Sequence, residues 1–369
     1  MKIYRVGGSV RDRLLGLPVN DHDWLVVGAS VDEMLAQGYT PVGRDFPEFL
    51  HPQTHDEYAL ARTERKSAPG YRGFAVQADP SVTLEQDLAR RDLTINAIAQ
   101  AADDPQAPLL DPFGGQRDLE AGVLRHVSAA FAEDPVRILR LARFAARWPH
   151  FVVAPETAAL TRQMIEAGEA DALVAERVWQ ELAKGLLEPV PSVMFAVLRD
   201  CGALARVLPQ IDALYDDGRA GEALAALDAS AREKYTLEVR FAALLRALEP
   251  EAVEVLCARL RAPAACRELA VLAARHAHAL ADVAELDAEE IMALLEAGDA
   301  WRRPERFIAL TQAALAGEAN SDSAQLRLQR AQNATLAVDA GAVAGKHAAG
   351  DIKAAVAQAR LDALRAAIR

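Results

Sequence analysis

Apolar positions change rhythm once along this chain of 369 residues. Over roughly the first 125 residues they come in short runs, at 3–6, 23–27, 57–61 and 124–127, among bounding Gly, Pro and Asp residues. That is the pattern of β-strands between turns. Residues 10–15 and 93–99 read as helices between them. From about residue 130 onward Ala, Leu, Arg and Glu dominate, apolar residues recur at helical spacing, and strand signals stop. Pro135, Pro155, Pro189, Pro191, Pro209, Pro250 and Pro263 cut this stretch into helices of ordinary length. The expected fold class is α+β: an N-terminal head with a mixed or antiparallel sheet and helices, then an all-helical remainder.

Composition narrows the class. With 51% hydrophobic and 25% charged residues the chain reads as a globular protein of two or three packed units. Cys201, Cys257 and Cys266 form no CxxC pair, so a disulfide framework is not expected and a reducing compartment fits. The opening MKIYRVGGSVRD carries Arg5, Arg11 and Asp12 where a signal peptide needs apolar residues, and no apolar run is long enough to span a membrane. A cytoplasmic protein without a membrane partner is expected. The net charge of −12 argues against a broadly basic surface, and residues 1–150 hold 17 Lys+Arg against 21 Asp+Glu. Any nucleic-acid footprint must therefore be a local stripe.

Four blocks carry chemistry. Gly7 and Gly8 allow a tight turn out of a strand, and Ser9 is placed to cap the helix that follows. Neither a GxGxxG nor a GKS/GKT phosphate loop is present. Asp21-His22-Asp23 follows Ser9 with eleven residues between. Two carboxylates two apart in a strand share one face and suit a hard cation such as Mg²⁺. Next, Arg90-Arg91-Asp92 offers forked donors for phosphate and an acceptor for a ribose hydroxyl. Asp111-Pro112-Phe113-Gly114-Gly115 reads as a turn. Finally, in Glu133-Asp134-Pro135-Val136-Arg137-Ile138-Leu139-Arg140, Asp134 and Arg137 lie ~60° apart if helical. An acceptor beside a set of donors complements cytosine and adenine and mismatches uracil and guanine, although Asp and Arg at that spacing equally make an ordinary salt bridge. Arg140, Arg143 and Arg147 fall within an arc of ~60° and form the local basic stripe.

Taken in order, these blocks resemble the polymerase-β-like nucleotidyltransferases and, more closely, class II CCA-adding enzymes and bacterial poly(A) polymerases. The resemblance rests on Gly7-Gly8 with Asp21 and Asp23, RRDLTINA at 90–97, DPFGG at 111–115, EDPVR at 133–137 and Glu176-Arg177 through Leu182. It covers residues 1 to about 185 closely and thins beyond. It implies stepwise transfer of CMP, CMP and AMP from CTP and ATP to the 3′ end of tRNA, with Mg²⁺ held by Asp21 and Asp23. Gly8, Arg11, Arg91, Asp92, Asp134, Arg137 and Arg140 would bind the nucleotide, with Asp134 and Arg137 reading the base, and the motif at 176–182 would support the template helix. Domains are expected at 1–128 for the catalytic head, 129–195 for a helical neck and 196–369 for a tRNA-binding body and tail.

Within the head, Arg44-Asp45-Phe46 and Arg62 to Arg65 also look like the bacterial CCA-adding branch, and residues 66–79, with Pro69, Gly70 and Gly73, read as a mobile loop favouring completion with A. Glu57 is a candidate third carboxylate. A poly(A) polymerase or A-only adder, and a non-catalytic RNA-binding relative, are the alternatives. Relatives often carry a His-Asp phosphohydrolase dyad after a run like Arg240-Phe241-Ala242-Ala243-Leu244, where this chain has Leu245-Arg246-Ala247, so that second site is expected to be missing. No obligate protein partner is expected.

Overall fold

The computed structural model describes residues 1–19, 22–42, 48–66, 74–104, 106–348 and 351–368. The chain divides into two compact units, Met1–Val178 with Ala196–Arg206, and Trp179–Phe195 with Val207–Arg369.

The first unit opens with β1 (Lys2–Val6), α1 (Gly8–Leu14), β2 (Trp24–Val27), α2 (Val31–Ala36), β3 (Thr40–Val42), β4 (Glu48–Leu50) and β5 (Glu57–Leu60). A ribbon of β6 (Thr63–Lys66) and β7 (Phe74–Gln77) follows, then α3 (Leu84–Ala89), β8 (Ala99–Ala101), α4 (Gly115–Ala121) and β9 (Val123–Leu124). Six strands make one sheet in the order β3-β4-β5-β2-β1-β8, with β2 parallel to β5 and every other pair antiparallel. Alternation along β1 and β2 explains why both faces are covered. Val6 and Leu25 pack with Leu88 and Ala97 on one side. Ile3 and Val26 pack with Met34, Phe49 and Leu60 on the other.

Helix α2 is closed by a capping box, in which Ser30 Oγ accepts from the Glu33 amide and Glu33 accepts from the Ser30 amide. Thr83 and Gln86 repeat the device at α3, which fixes where Asp87 and Arg90 emerge.

Two sequence-based expectations in the head are corrected. Residues 93–99 are not a helix: Leu93 is extended, Thr94–Asn96 is a single 3-10 turn, and β8 begins at Ala99. Leu93, Ile95, Ala97, Ile98 and Ala99 are all fully buried, so the run is apolar because it is enclosed on every side, and its period says nothing of a helix. Asp92 also draws the local backbone away from a helix, accepting from the Leu93 amide and Asn96 Nδ2. Of residues 124–127 only Leu124 lies in a strand: β9 pairs in parallel with β10 (Val152–Val153), and His126 makes an isolated bridge to Leu93. The segment 66–79 supplies β7 and its pairing with β6, while its centre, residues 67–73, lies outside the described residues.

After the head come α5 (Val136–Arg147), α6 (Pro155–Glu166) and α7 (Ala175–Leu186), and every described element beyond them is a helix, ending with Ile352–Ala367. In the second unit Arg240 donates from Nη1 to the carbonyls of Leu186 and Glu188, where α7 ends, and from Nε to that of Tyr235. Arg246 is buried, ion-paired with Glu318 and donating to the carbonyls of Ala313 and Ala314. All three cysteines are buried, and burial pushes the thiols of Cys257 and Cys266 up to about 11 and about 12. No described helix is long and apolar enough to cross a membrane.

A steric constraint set by backbone falls at Gly115. A Cβ there would lie 2.2 Å from the Thr94 carbonyl oxygen and 2.8 Å from Ile98 Cγ1, so α4 packs against the 3-10 turn with no room for a methyl group. Gly115→Ala is expected to destabilise the head by about 1–3 kcal/mol, the cost of forced overpacking, read as a lower melting temperature. Gly221→Ala, with nothing within 4 Å of the new carbon, is the control that leaves it unchanged.

Candidate active site

The turn from β1 into α1 needs a glycine. Gly7 has φ 65° and ψ −130°, a conformation open to residues without a Cβ, and a Cβ there would meet Arg91 Nη1 at 2.8 Å. The helix starts at Gly8, earlier than expected, and Ser9 does not cap it. Ser9 is the second residue of the helix, and its hydroxyl donates back to the Val6 carbonyl at 3.0 Å. That bond ties the turn to the strand behind it.

Asp23 stands just ahead of β2, and its carbonyl accepts from the Val6 amide, so the backbone pairing of β1 with β2 carries on through it. Its carboxylate lies beside the turn, with Oδ2 3.7 Å from where a Cβ on Gly7 would sit. Asp21, the other half of the expected metal pair, lies outside the described residues, as do Arg44, Asp45 and Phe46. Because Trp24 pairs with Tyr58 in parallel register, Glu57 comes level with Asp23 on the neighbouring strand, and both line the same cavity. Exposed oxygen donors from adjacent strands suit a hard divalent cation.

That cavity has a volume of about 610 Å³. Gly8, Arg11, Asp23 and Arg91 line it from the head. Asp92, Asp134, Arg137 and Arg140 complete the wall, so every candidate site residue among the described ones borders one space. Seven arginines and five carboxylates face it, so a chain with a net charge of −12 is locally cationic here.

Carboxylates hold these arginines in place. Asp87 is fully buried; it accepts from Nε and Nη2 of Arg90 at 3.1 and 2.5 Å, from Arg91 Nη2 at 3.3 Å and from the Arg62 amide at 3.3 Å. Burial pushes its carboxyl up, but Arg90 and Arg91 outweigh that and hold it below the usual range. Arg90 is thus committed to Asp87 and to the Arg62 carbonyl, while Arg91 reaches on to the Gly7 turn. Asp92 is saturated: Oδ1 takes the Leu93 amide and Asn96 Nδ2, and Oδ2 takes Nε of Arg140 at 2.8 Å and Nη2 at 2.7 Å. Burial raises its carboxyl, and Arg140 with Asn96 more than reverses this, leaving it well below the ordinary carboxylate range.

The expected placement of Asp134 and Arg137 on one helical face is corrected. Asp134 has φ −124° and ψ 107°, which is extended backbone, and α5 begins only at Val136, after Pro135. Asp134 Oδ1 accepts from the Val136 amide, the first of that helix, at 3.1 Å. Both its oxygens also take the fork of Arg177 on α7, at 3.0 and 2.7 Å. Arg137 donates from Nη1 to the Ala130 carbonyl at 2.7 Å. The two side chains meet at the cavity because a turn delivers one and a helix the other.

Arg177 joins the site, although the reading of 176–182 as a supporting helix gave it no contact there; Phe144 and Asn96 also line the cavity. The signal for Asn96 was in RRDLTINA itself, whereas Phe144 is an apolar residue on a helix with a large buried face and Arg177 pairs with a residue far away in sequence. The basic stripe on α5 is not a solvated face: Arg143 lies over the Phe144 ring at 4.6 Å, and Arg147 pairs with Asp12 at 3.2 Å.

Comparisons with known proteins give the family and the fold. Residues 3–125 match the family model described as "Poly A polymerase head domain", and residues 150–215 match "Probable RNA and SrmB- binding site of polymerase A". The multifunctional CCA protein of Chromobacterium violaceum is 54% identical over all of this chain and 97% of its own length. That of Burkholderia pseudomallei is 51% identical over all of this chain and 99% of its own. Among solved structures, an apo form of a CCA-adding enzyme superposes with a TM-score of 0.73 at 24% identity, covering 99% of this chain and 88% of the other, a likeness of fold. The Bacillus stearothermophilus CCA-adding enzyme in complex with CTP gives 0.68 at 26% identity, over 99% and 88%.

Asp92 also makes the site a source of pH-dependent stability. Its folded carboxyl lies below the unfolded value of ~3.9, so its contribution is complete above that pH and is lost as pH falls toward the folded value. Asp92→Asn is expected to lower unfolding free energy at pH 7 by about 1–3 kcal/mol, because Arg140 loses its partner. The variant should also lose less stability than the parent between about pH 4 and pH 2. Urea unfolding at a series of pH values checks both.

Proposed function

The chain belongs to the family of CCA-adding tRNA nucleotidyltransferases, and from that membership we propose that it builds the terminal CCA of tRNA by transferring CMP, CMP and AMP in turn from CTP and ATP, releasing pyrophosphate. The observation that carries this reading is the convergence of Gly8, Arg11, Asp23, Arg91, Asp92, Asp134, Arg137 and Arg140 on one cavity large enough for a nucleotide.

Asp21 and Asp23 hold divalent metal, taken here as Mg²⁺, with Glu57 level with Asp23 as a further oxygen donor. When bound, the metal lowers the pKa of the tRNA 3′-hydroxyl and offsets charge on the departing pyrophosphate. Everything else falls to the chain. Gly8, at the start of α1, lets a phosphate approach the backbone closely, since there is no side chain in the way. Arg11, Arg91 and Arg140 neutralise the triphosphate. Asp92 serves nucleotide binding chiefly through Arg140, whose guanidinium it grips by two nitrogens. A ribose hydroxyl would have to share an Asp92 oxygen with Asn96 or Arg140.

Asp134 and Arg137 read the base as acceptor and donor. Cytosine and adenine both present an amino group beside a ring acceptor on the edge that meets them, while uracil and guanine reverse that order and leave buried polar groups unpaired. Arg177 aims Asp134 by donating to both of its oxygens.

A tRNA ending at the discriminator base, incubated with each nucleotide alone, is expected to gain two CMP from CTP, and AMP from ATP only after CC is present; no CMP incorporation would refute the assignment. Asp23→Ala is expected to abolish transfer while tRNA binding, measured by filter retention, persists. Arg137→Ala should raise UMP incorporation relative to CMP by about tenfold or more, because a wrong base then leaves fewer donors unpaired.

A further inference from the structure

Two of the arginines assigned above to the triphosphate share an aromatic partner that no part of that reading uses. Phe144 lies two turns along α5 from Val136, is 3% exposed, and still contributes to the cavity wall. Three guanidiniums lie over its ring within the ~6 Å range of a cation–π contact: Arg143 at 4.6 Å, Arg11 at 5.2 Å and Arg140 at 5.7 Å. Trp148, one turn further on, stacks on Phe144 with centroids 5.5 Å apart and planes 3° from parallel. It receives Arg11 at 4.9 Å and Arg147 at 5.0 Å.

These contacts join parts of the chain that sequence keeps far apart. Arg11 comes from α1, beneath Gly8, with Nη2 3.5 Å from where a Cβ on Gly8 would be. Its other nitrogens are held by Asp12 and Asn96. Arg140 is held by Asp92. Each guanidinium therefore has its edge on a carboxylate or amide and a plane near the Phe144 ring. An edge contact alone leaves a guanidinium able to swing about its hydrogen bonds, and an aromatic ring within cation–π range opposes that swing.

We propose that Phe144, with Trp148 stacked behind it, is a positioning residue for nucleotide binding. The ring holds the Arg11 and Arg140 guanidiniums side by side at the cavity wall and so sets affinity for CTP and ATP equally. This rests on the assignment of Arg11 and Arg140 to the triphosphate. Since both nucleotides carry the same triphosphate, a ring that acts through Arg11 and Arg140 changes both affinities by the same factor and leaves base selection to Asp134 and Arg137. A Phe144 that served the hydrophobic core alone would alter stability without altering nucleotide affinity.

The test is calorimetric binding of CTP and of ATP to the full-length protein, with single-turnover transfer and melting temperature measured alongside. Phe144→Leu is expected to weaken both nucleotides by about tenfold, through the same factor, with the ratio of UMP to CMP incorporation unchanged. Phe144→Tyr, which keeps the ring face, is expected to bind within about twofold of the parent. Trp148→Leu removes the platform under Arg11 but not Arg140 and is expected to give about a threefold uniform loss, which keeps the test decisive if Phe144→Leu folds poorly. Unchanged affinity in both leucine variants, an effect confined to one nucleotide, or failure of tyrosine to restore binding each overturns the proposal. Parent protein that binds neither nucleotide removes the triphosphate assignment itself, a result separable from any ratio between variants.

Discussion

Like charges a few ångströms apart repel, and this protein sets seven arginines around one cavity. What permits this is a set of acceptors that neutralise and orient them, Asp87 and Asp92 buried, Asp12 and Asp134 half-buried: Asp87 for Arg90 and Arg91, Asp92 for Arg140, Asp12 for Arg11, Asp134 for Arg177. The carboxylates of Asp87 and Asp92 are displaced below their ordinary titration range by those partners, against the opposing pull of burial. Without an anion bound, the arginines are already paired. The capping box at α3, the Gly7 turn and the saturated Asp92 all follow from the need to aim fixed cations at one space while keeping them soluble in a low-dielectric interior.

Much of this was legible in the sequence, for reasons that differ by residue. Gly7, Asp23, Arg91 and Arg137 belong to blocks in which spacing and chemistry coincide, and an ordered set of blocks resembles one family far more specifically than any single block could. The change from short strand-like runs to helical spacing near residue 130 likewise marks where sheet gives way to helix, because alternation and a 3.6-residue period report different environments.

Other features were hidden by physics rather than by noise. Residues 93–99 look helical because a fully enclosed segment is apolar at every position, and period loses its meaning there. Asp134 and Arg137 satisfy helical spacing on paper, yet Pro135 ends the preceding turn and leaves Asp134 extended. Arg177 is 43 residues from its partner Asp134, and nothing local to either residue announces the pair. Ser9 has the residue type of a cap but sits inside the helix, since Gly7 alone can take the backbone angles at the true start.

The three buried cysteines have a practical reach beyond folding. Thiols that far from ionising react slowly with maleimides and disulfide probes, because the thiolate is the attacking species. A single cysteine introduced on the outer surface would then outcompete Cys201, Cys257 and Cys266 for a dye or spin label. Distances from the helical half to a labelled RNA become measurable in otherwise unaltered protein, with no native residue to strip out first.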